Sequence, residues 1–130
     1  MIIGFKEQFR APILASTKIH TIREDKHDRW HAGRIMHMAT GVRTKRYECF
    51  KEAVCISIQD IEITYDDCIV VSIDGKTFAL LTKYDEAFDI GERKLQALAR
   101  NDGFESITDF LSFFKGDFTG KIIHWTDLKY

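Results

Sequence analysis

The chain has 130 residues, of which 45% are hydrophobic and 30% are charged, and its formal net charge is −1. This length is typical of one domain, no segment is poor enough in apolar residues for disorder, and no apolar run is long enough to span a membrane. The three cysteines lack the close pairing of zinc ribbons, and no signal peptide accompanies them. We therefore expect one soluble, cytoplasmic domain over residues 1–130, with reduced thiols.

Charge is distributed unevenly along the chain. Residues 1–52 contain eleven Lys and Arg against six Asp and Glu, a net charge of +5, whereas residues 53–130 have a net charge of −6. A phosphate-bearing partner that meets the basic part would fit this asymmetry. Mixed, solvated surface charge is the alternative explanation, since a stretch of sequence is not a surface patch.

The N-terminal part predicts short strands separated by polar loops. An apolar opening strand is followed by a short helix with Pro12 in its first turn, where a missing N–H costs little. A second strand, an exposed charged loop, a third strand and a basic turn come next. In chain order, these predicted elements cover residues 1–5, 9–15, 18–23, 24–33, 34–39 and 41–46.

The middle of the chain is rich in β-branched and apolar residues. Alternation over residues 54–59 and 61–63, with a break near Asp60, predicts one bent or bulged strand. Farther on, two β-rich runs flank the pair Asp74-Gly75. An Asp-Gly pair in this position predicts a hairpin, because both central residues of the favoured turn need positive φ.

The periodicity becomes helical in the last third of the chain. Leu95, Leu98 and Ala99 fall on one helical face, and residues 101–103 end this helix with a glycine. A second helix begins with Ser106 as its N-cap, supported by an acidic residue three positions later.

The closing residues 120–126 predict a last strand. Strands followed by two helices and a final strand are typical of an α+β fold. We expect a small, mostly antiparallel β-barrel or curled sheet with short flanking helices.

The strand at residues 18–23 is the candidate for chemistry. Side chains alternate along a strand, so Thr21 and Arg23 share one face while His20 takes the other. Lys18 precedes the strand at a turn, and its long stem can bring the amine to Thr21. We therefore expect these three side chains in one cleft. The alternative is that Thr21 and Arg23 are ordinary strand residues and Lys18 is a solvated loop lysine.

The other candidate groups of residues give weaker evidence for a catalytic, metal or ligand site. His27 and His31 are four apart, a spacing that binds zinc on a helix, but this segment is predicted to be a loop and offers no obvious third ligand. Cys49 and Cys55 have no activating motif, and the chain has no glycine-rich phosphate loop. Trp30 either stacks on a base or covers the edge of the core. We expect no metal and no cofactor.

Several of these segments, in this order and spacing, resemble the ASCH domain family over nearly the whole chain. The resemblance implies a PUA-like β-barrel with a central cleft and a connection to RNA or modified nucleosides. It rests on residues 18–23, the charged loop to Trp30 and Gly33, residues 98–106 with the helix that follows, and residues 122–125.

Some small bacterial members of that superfamily hydrolyse N4-acetylcytidine with a lysine, a threonine three residues later and a glutamate. Lys18 and Thr21 match the first two, and Arg23 matches the arginine that closes the same motif. Asp102 is the nearest match to the glutamate, although it is one methylene shorter, and Glu105 is the second choice. The resemblance thus implies Thr21 as nucleophile, Lys18 as base and Asp102 as the acidic residue.

Two functions remain open at this stage. The first is binding of RNA or a nucleoside in a cleft lined by Lys18, Thr21 and Arg23, with Trp30 and Glu105 as further ligand contacts. The second is an N4-acetylcytidine amidohydrolase that uses the same cleft. Ribonuclease activity comes third, because no evident pair of acid and base histidines supports it. No membrane and no protein partner is expected.

Overall fold

The computed structural model describes residues 1–82 and 88–130, which form eight strands, three α-helices and one 3-10 turn. The strands are β1 (Ile2–Gly4), β2 (His20–Arg23), β3 (Ile35–Thr40), β4 (Glu48–Val54), β5 (Ser57–Tyr65), β6 (Cys68–Ile73), β7 (Lys76–Thr82) and β8 (Phe118–His124). The helices are α1 (Arg10–Leu14), preceded by the 3-10 turn Glu7–Phe9, α2 (Glu92–Asn101) and α3 (Ile107–Phe113).

The strands pair as two sheets. One sheet has the order β1-β3-β4, with β1 parallel to β3, and the other has the order β2-β8-β5-β6-β7, with every pair antiparallel. The expected mostly antiparallel α+β fold is therefore confirmed. Across residues 1–82 and 88–130, strand pairing leaves the two sheets separate and closes no barrel.

The expected bulge near Asp60 is absent from the pairing of β5 with β8. β5 pairs with β8 in continuous register from Ser57 to Ile63, straight through Asp60. The chain turns earlier instead, because Cys55 bonds to Arg34 beside the first sheet while the next residue donates to His124 in the second. Residues 54–59, which the alternation joined, thus contain the end of one strand, a corner between sheets and the start of another.

Local signals elsewhere predicted the structure correctly. Asp74 and Gly75 have φ values of 51° and 78° in the tight turn between β6 and β7, as the favoured hairpin turn requires. The Ser106 hydroxyl accepts a hydrogen bond from the backbone N–H of Asp109 at 3.1 Å and caps α3. The predicted apolar face of α2 is fully buried.

The hydrophobic core draws on both sheets and all three helices. β2 lies at one edge of the five-stranded sheet, with β8 as its sheet neighbour. Its start is held by two helix ends: the N–H of Lys18 donates to Pro12 in α1, and the N–H of Ile19 donates to Asn101 at the end of α2. None of the helices in the described ranges is long and apolar enough to cross a bilayer.

Candidate functional site

A pocket of about 320 Å3 lies where the start of β2 meets the end of α2. Five polar side chains line it, from the N-terminal segment, from the region of β2 and from the end of α2, and aromatic rings form much of its wall. Pockets of this size, mostly apolar with a few convergent polar groups, are typical of small-molecule sites. The lining residues are Gly4, Phe5, Lys6, Phe9, Lys18, Thr21, Ile22, Arg23, Asp102, Phe104 and Phe113.

Lys18 and Asp102 form a buried ion pair in this pocket. The Lys18 Nζ donates to the backbone oxygen of Asp102 at 2.5 Å and lies 3.2 Å from its Oδ1. The two residues are 2% and 3% exposed. Burial lowers the pKa of Lys18, and the Asp102 charge opposes that shift. The ammonium also sits 4.7 Å from the centre of the Phe9 ring, a cation–π contact.

The geometry of the α2 end places Asp102 in the pocket. Asp102 is the C-cap of α2, and the chain then turns at Gly103, which has a φ of 93°. A Cβ atom at Gly103 would lie 3.0 Å from Lys18 Cδ and 3.1 Å from Phe9 Cδ1. Glycine at this position therefore permits both the turn and the close approach of the lysine stem.

Thr21 and Arg23 share the pocket face of β2, as the alternation predicted. The Arg23 Nε donates to Thr21 Oγ1 at 3.2 Å, and its Nη2 donates to the backbone oxygen of Gly4 at 2.5 Å. Its guanidinium lies 4.8 Å from the centre of the Phe5 ring. Burial lowers the pKa of Arg23. The guanidinium is thus held in one orientation beside the threonine hydroxyl.

His20 has a role in this site that was not predicted from the sequence. Its Nδ1 lies 3.0 Å from Asp102 Oδ1, and its Nε2 lies 2.6 Å from the hydroxyl of Tyr130. That hydroxyl also accepts a hydrogen bond from Asn101 at 3.0 Å. If the strand alternation is extended back to residue 18, Lys18 and His20 fall on the same face. That pattern could have predicted that His20 reaches the same partner as Lys18.

A second histidine packs against this network. The His124 ring meets the His20 ring edge-on at 5.3 Å between centres, and its Nε2 pairs with Gln59 Oε1 at 2.9 Å. Burial, followed by the charge of His20, lowers the pKa of His124 to about 4. Burial raises the pKa of Tyr130 to about 12. Near pH 7, His124 is therefore neutral and the Tyr130 hydroxyl keeps its proton.

The structure does not bring Trp30 and Glu105 into this pocket. Trp30 is 7% exposed and belongs to the hydrophobic core, and its backbone N–H donates to the carboxylate of Asp25. Glu105 lines a neighbouring depression together with Arg100. Of the two acidic residues considered from the sequence, Asp102 is the one that lines the pocket.

The described part of the chain contains no group of three or more His, Cys, Asp or Glu side chains arranged to hold a metal ion. His27 and His31 are both exposed. The polar groups of the pocket are two amines, a hydroxyl, a guanidinium and a carboxylate, so the chemistry available there is hydrogen bonding, charge pairing and acid–base catalysis.

The fold and the pocket together define a small α+β protein with a buried Lys–Asp pair beside a threonine hydroxyl in an aromatic-walled site. No family model matches this chain, and no curated protein or solved structure matches it either.

Proposed function

We propose that this chain is an ASCH-like protein of PUA-like fold whose pocket binds a nucleoside, either free or as an exposed base of RNA. The observation that carries the proposal is the convergence of Lys18, Thr21, Arg23 and Asp102 on one aromatic-walled pocket. The order of sequence segments that resembles the ASCH family supports the same conclusion.

The pocket chemistry suits a nucleobase. Phe5, Phe9, Phe104 and Phe113 offer faces and edges on which a planar base can pack. The base edge then meets donors from the lysine and guanidinium and an acceptor from the carboxylate of Asp102. Such a mixture reads the donor and acceptor pattern of a base, which a purely apolar pocket cannot do.

A second candidate function is hydrolysis of N4-acetylated cytidine, and a specific observation favours it. The amine of Lys18 lines the same pocket as the buried hydroxyl of Thr21, and burial lowers its pKa. A lysine with a lowered pKa has a larger neutral fraction and can accept a proton. A threonine hydroxyl needs such a base before it can act as a nucleophile.

The reaction follows from these groups. Thr21 Oγ attacks the acetyl carbon while its proton passes to the neutral amine of Lys18. The guanidinium of Arg23 stabilises the oxyanion. When the C–N bond breaks, the proton on Lys18 passes to the departing exocyclic nitrogen, so cytidine leaves and an acetyl ester remains on Thr21. Water then hydrolyses that ester, releasing acetate and restoring the hydroxyl.

Calorimetric titration with cytidine tests the binding proposal. We expect Arg23→Ala to weaken affinity about tenfold or more, because a charged hydrogen-bond donor is lost from the pocket. Arg10→Ala is the matched control, since Arg10 pairs with Glu48 outside the pocket. A wild-type protein that binds no nucleoside would overturn the proposal, and equal titration curves for wild type and Arg23→Ala would remove Arg23 from the site.

The release of cytidine from N4-acetylcytidine tests the second candidate. We expect Thr21→Val, which removes the hydroxyl and keeps the shape, to abolish the acetyl ester on residue 21 and to lower the rate at least 100-fold. Mass spectrometry of the wild-type protein during turnover detects that ester. Wild-type turnover no faster than that of Lys18→Ala would reject hydrolysis and leave binding as the function.

A further inference from the structure

Asp102 is held from two sides by buried donors. Its Oδ1 is shared by the Nζ of Lys18 at 3.2 Å and by the Nδ1 of His20 at 3.0 Å. Among the described residues, no hydrogen bond reaches its Oδ2. Oδ2 is also not one of the fully buried polar atoms that lack a partner, so it keeps some accessible surface. Oδ1 is thus occupied within the protein, and Oδ2 is the carboxylate oxygen left for a ligand in the pocket.

The hydrogen-bond partners assign the protons of this network. A carboxylate only accepts, so His20 Nδ1 carries the hydrogen that points to Asp102. In the neutral ring Nε2 then has no hydrogen, so it accepts the hydrogen of the Tyr130 hydroxyl, whose oxygen in turn accepts from the amide of Asn101. Asp102 therefore requires the Nδ1–H tautomer of His20, and Tyr130 holds the other side of the ring through Nε2.

We propose that His20, held in place by Tyr130, is a positioning residue that aims Asp102 Oδ2 at an N–H group of the bound base. This inference rests on the proposed nucleoside function. It adds a selectivity: the pocket favours bases that carry an exocyclic amino or amide N–H, because a buried acceptor without a donor is costly. His20 itself need not touch the ligand.

The direct test compares two nucleosides that differ by one group. Pyrimidin-2-one riboside is cytidine without the 4-amino group, so the ratio of their affinities measures recognition of that amino group. We expect the wild-type protein to bind cytidine about tenfold to 100-fold more tightly, the range of a hydrogen bond to a charged group. Equal affinities would overturn the inference while leaving the nucleoside pocket in place.

Two variants of His20 separate positioning from general structure. His20→Asn places an amide nitrogen near the position of Nδ1, so we expect it to keep most of the preference for cytidine. His20→Gln places its amide nitrogen near Nε2 instead, so the preference should fall below about threefold. A His20→Gln protein that is folded and keeps the wild-type preference would overturn the role of His20.

A measurement without ligand keeps the inference testable if the buried variants fail to fold. Nitrogen-15 NMR of the wild-type protein reports which ring nitrogen of His20 carries the hydrogen, and the inference requires Nδ1. Tyr130→Phe, which removes one hydroxyl from a partly exposed ring, should shift the Nε2 resonance, because that nitrogen loses its donor, and should lower cytidine affinity about threefold to tenfold. A hydrogen on Nε2 alone in the wild-type protein would overturn the inference whether or not nucleosides bind.

Discussion

Two ion pairs of this protein have opposite characters. Arg10 and Glu48 meet on the surface through two hydrogen bonds of 2.7 and 2.9 Å, whereas Lys18 and Asp102 meet in the pocket at 3.2 Å. The acidic partner raises the pKa of Arg10, but burial outweighs the acidic partner and lowers the pKa of Lys18. The surface pair is the shorter of the two, so distance alone is a poor guide to the importance of a charge pair.

Burial explains the difference. Water solvates both partners of the surface pair, so little changes when one of them is removed. The pocket pair has given up its hydration, and each charge depends on the other and on the hydrogen bonds around it. Proteins rarely keep such charges without a use, and a lysine with a shifted pKa in a pocket is typical of a functional site.

The largest expected effect comes from breaking the pocket pair. Lys18→Met keeps most of the stem volume but leaves Asp102 buried without its cation, so we expect the free energy of unfolding at pH 7 to fall by about 3 to 5 kcal/mol. Arg10→Met at the surface pair is the control and should leave the urea midpoint nearly unchanged. Urea unfolding followed by circular dichroism measures both. Equal losses in the two variants would contradict the contrast drawn from burial.

Acidification should reveal a second consequence of burial, at His124. The pKa of His124 is about 4 in the folded protein and about 6.5 when unfolded, so the unfolded state binds more protons between these values. The stability from this group is fully present above pH 6.5 and is lost as pH falls toward 4, by about 2 kcal/mol between pH 6.5 and 5.

His124→Gln isolates the contribution of this group. Glutamine can keep an N–H donor toward Gln59 and does not titrate. The difference in unfolding free energy between wild type and variant should therefore shrink or reverse on acidification over this interval. A difference that stays constant from pH 6.5 to 5 would show that His124 does not enter the acid sensitivity of the protein.

The smallest expected effect compares two glycines with nearly the same positive φ. Gly103 and Gly33 have φ values of 93° and 91°, so alanine is strained at both by about 1 to 2 kcal/mol. Only the Cβ at Gly103 would meet side chains, those of Lys18 and Phe9. We expect Gly103→Ala to cost about 1 kcal/mol more in unfolding free energy and also to weaken cytidine binding.

Gly33→Ala is the matched control, because nothing lies within 4 Å of its added Cβ. Its cytidine titration should equal that of the wild-type protein. If both alanine variants weaken binding to the same degree, then the backbone strain, and not crowding of the Lys18 stem, is responsible.

Short-range patterns predicted much of the fold. Strand alternation placed Thr21 and Arg23 on one face, and the structure joins them by a hydrogen bond. Strand β4 was not predicted, because its residues alternate weakly and most are at least partly exposed at a sheet edge. The corner at Cys55 was missed for a related reason: the apolar run continues through it although the chain changes sheets.

The sequence by itself determined the α+β class, the hairpin at Asp74-Gly75, the cap at Ser106 and the shared face of Thr21 and Arg23. The class follows from the order of elements along the chain, and the other three depend on residues within a few positions of one another. Only the tertiary structure decided that Asp102 and not Glu105 lies in the pocket, and that His20 supports it. The contacts responsible join residues 82 to 110 positions apart, and they exist because the end of α2 packs against the start of β2. No local periodicity encodes that packing.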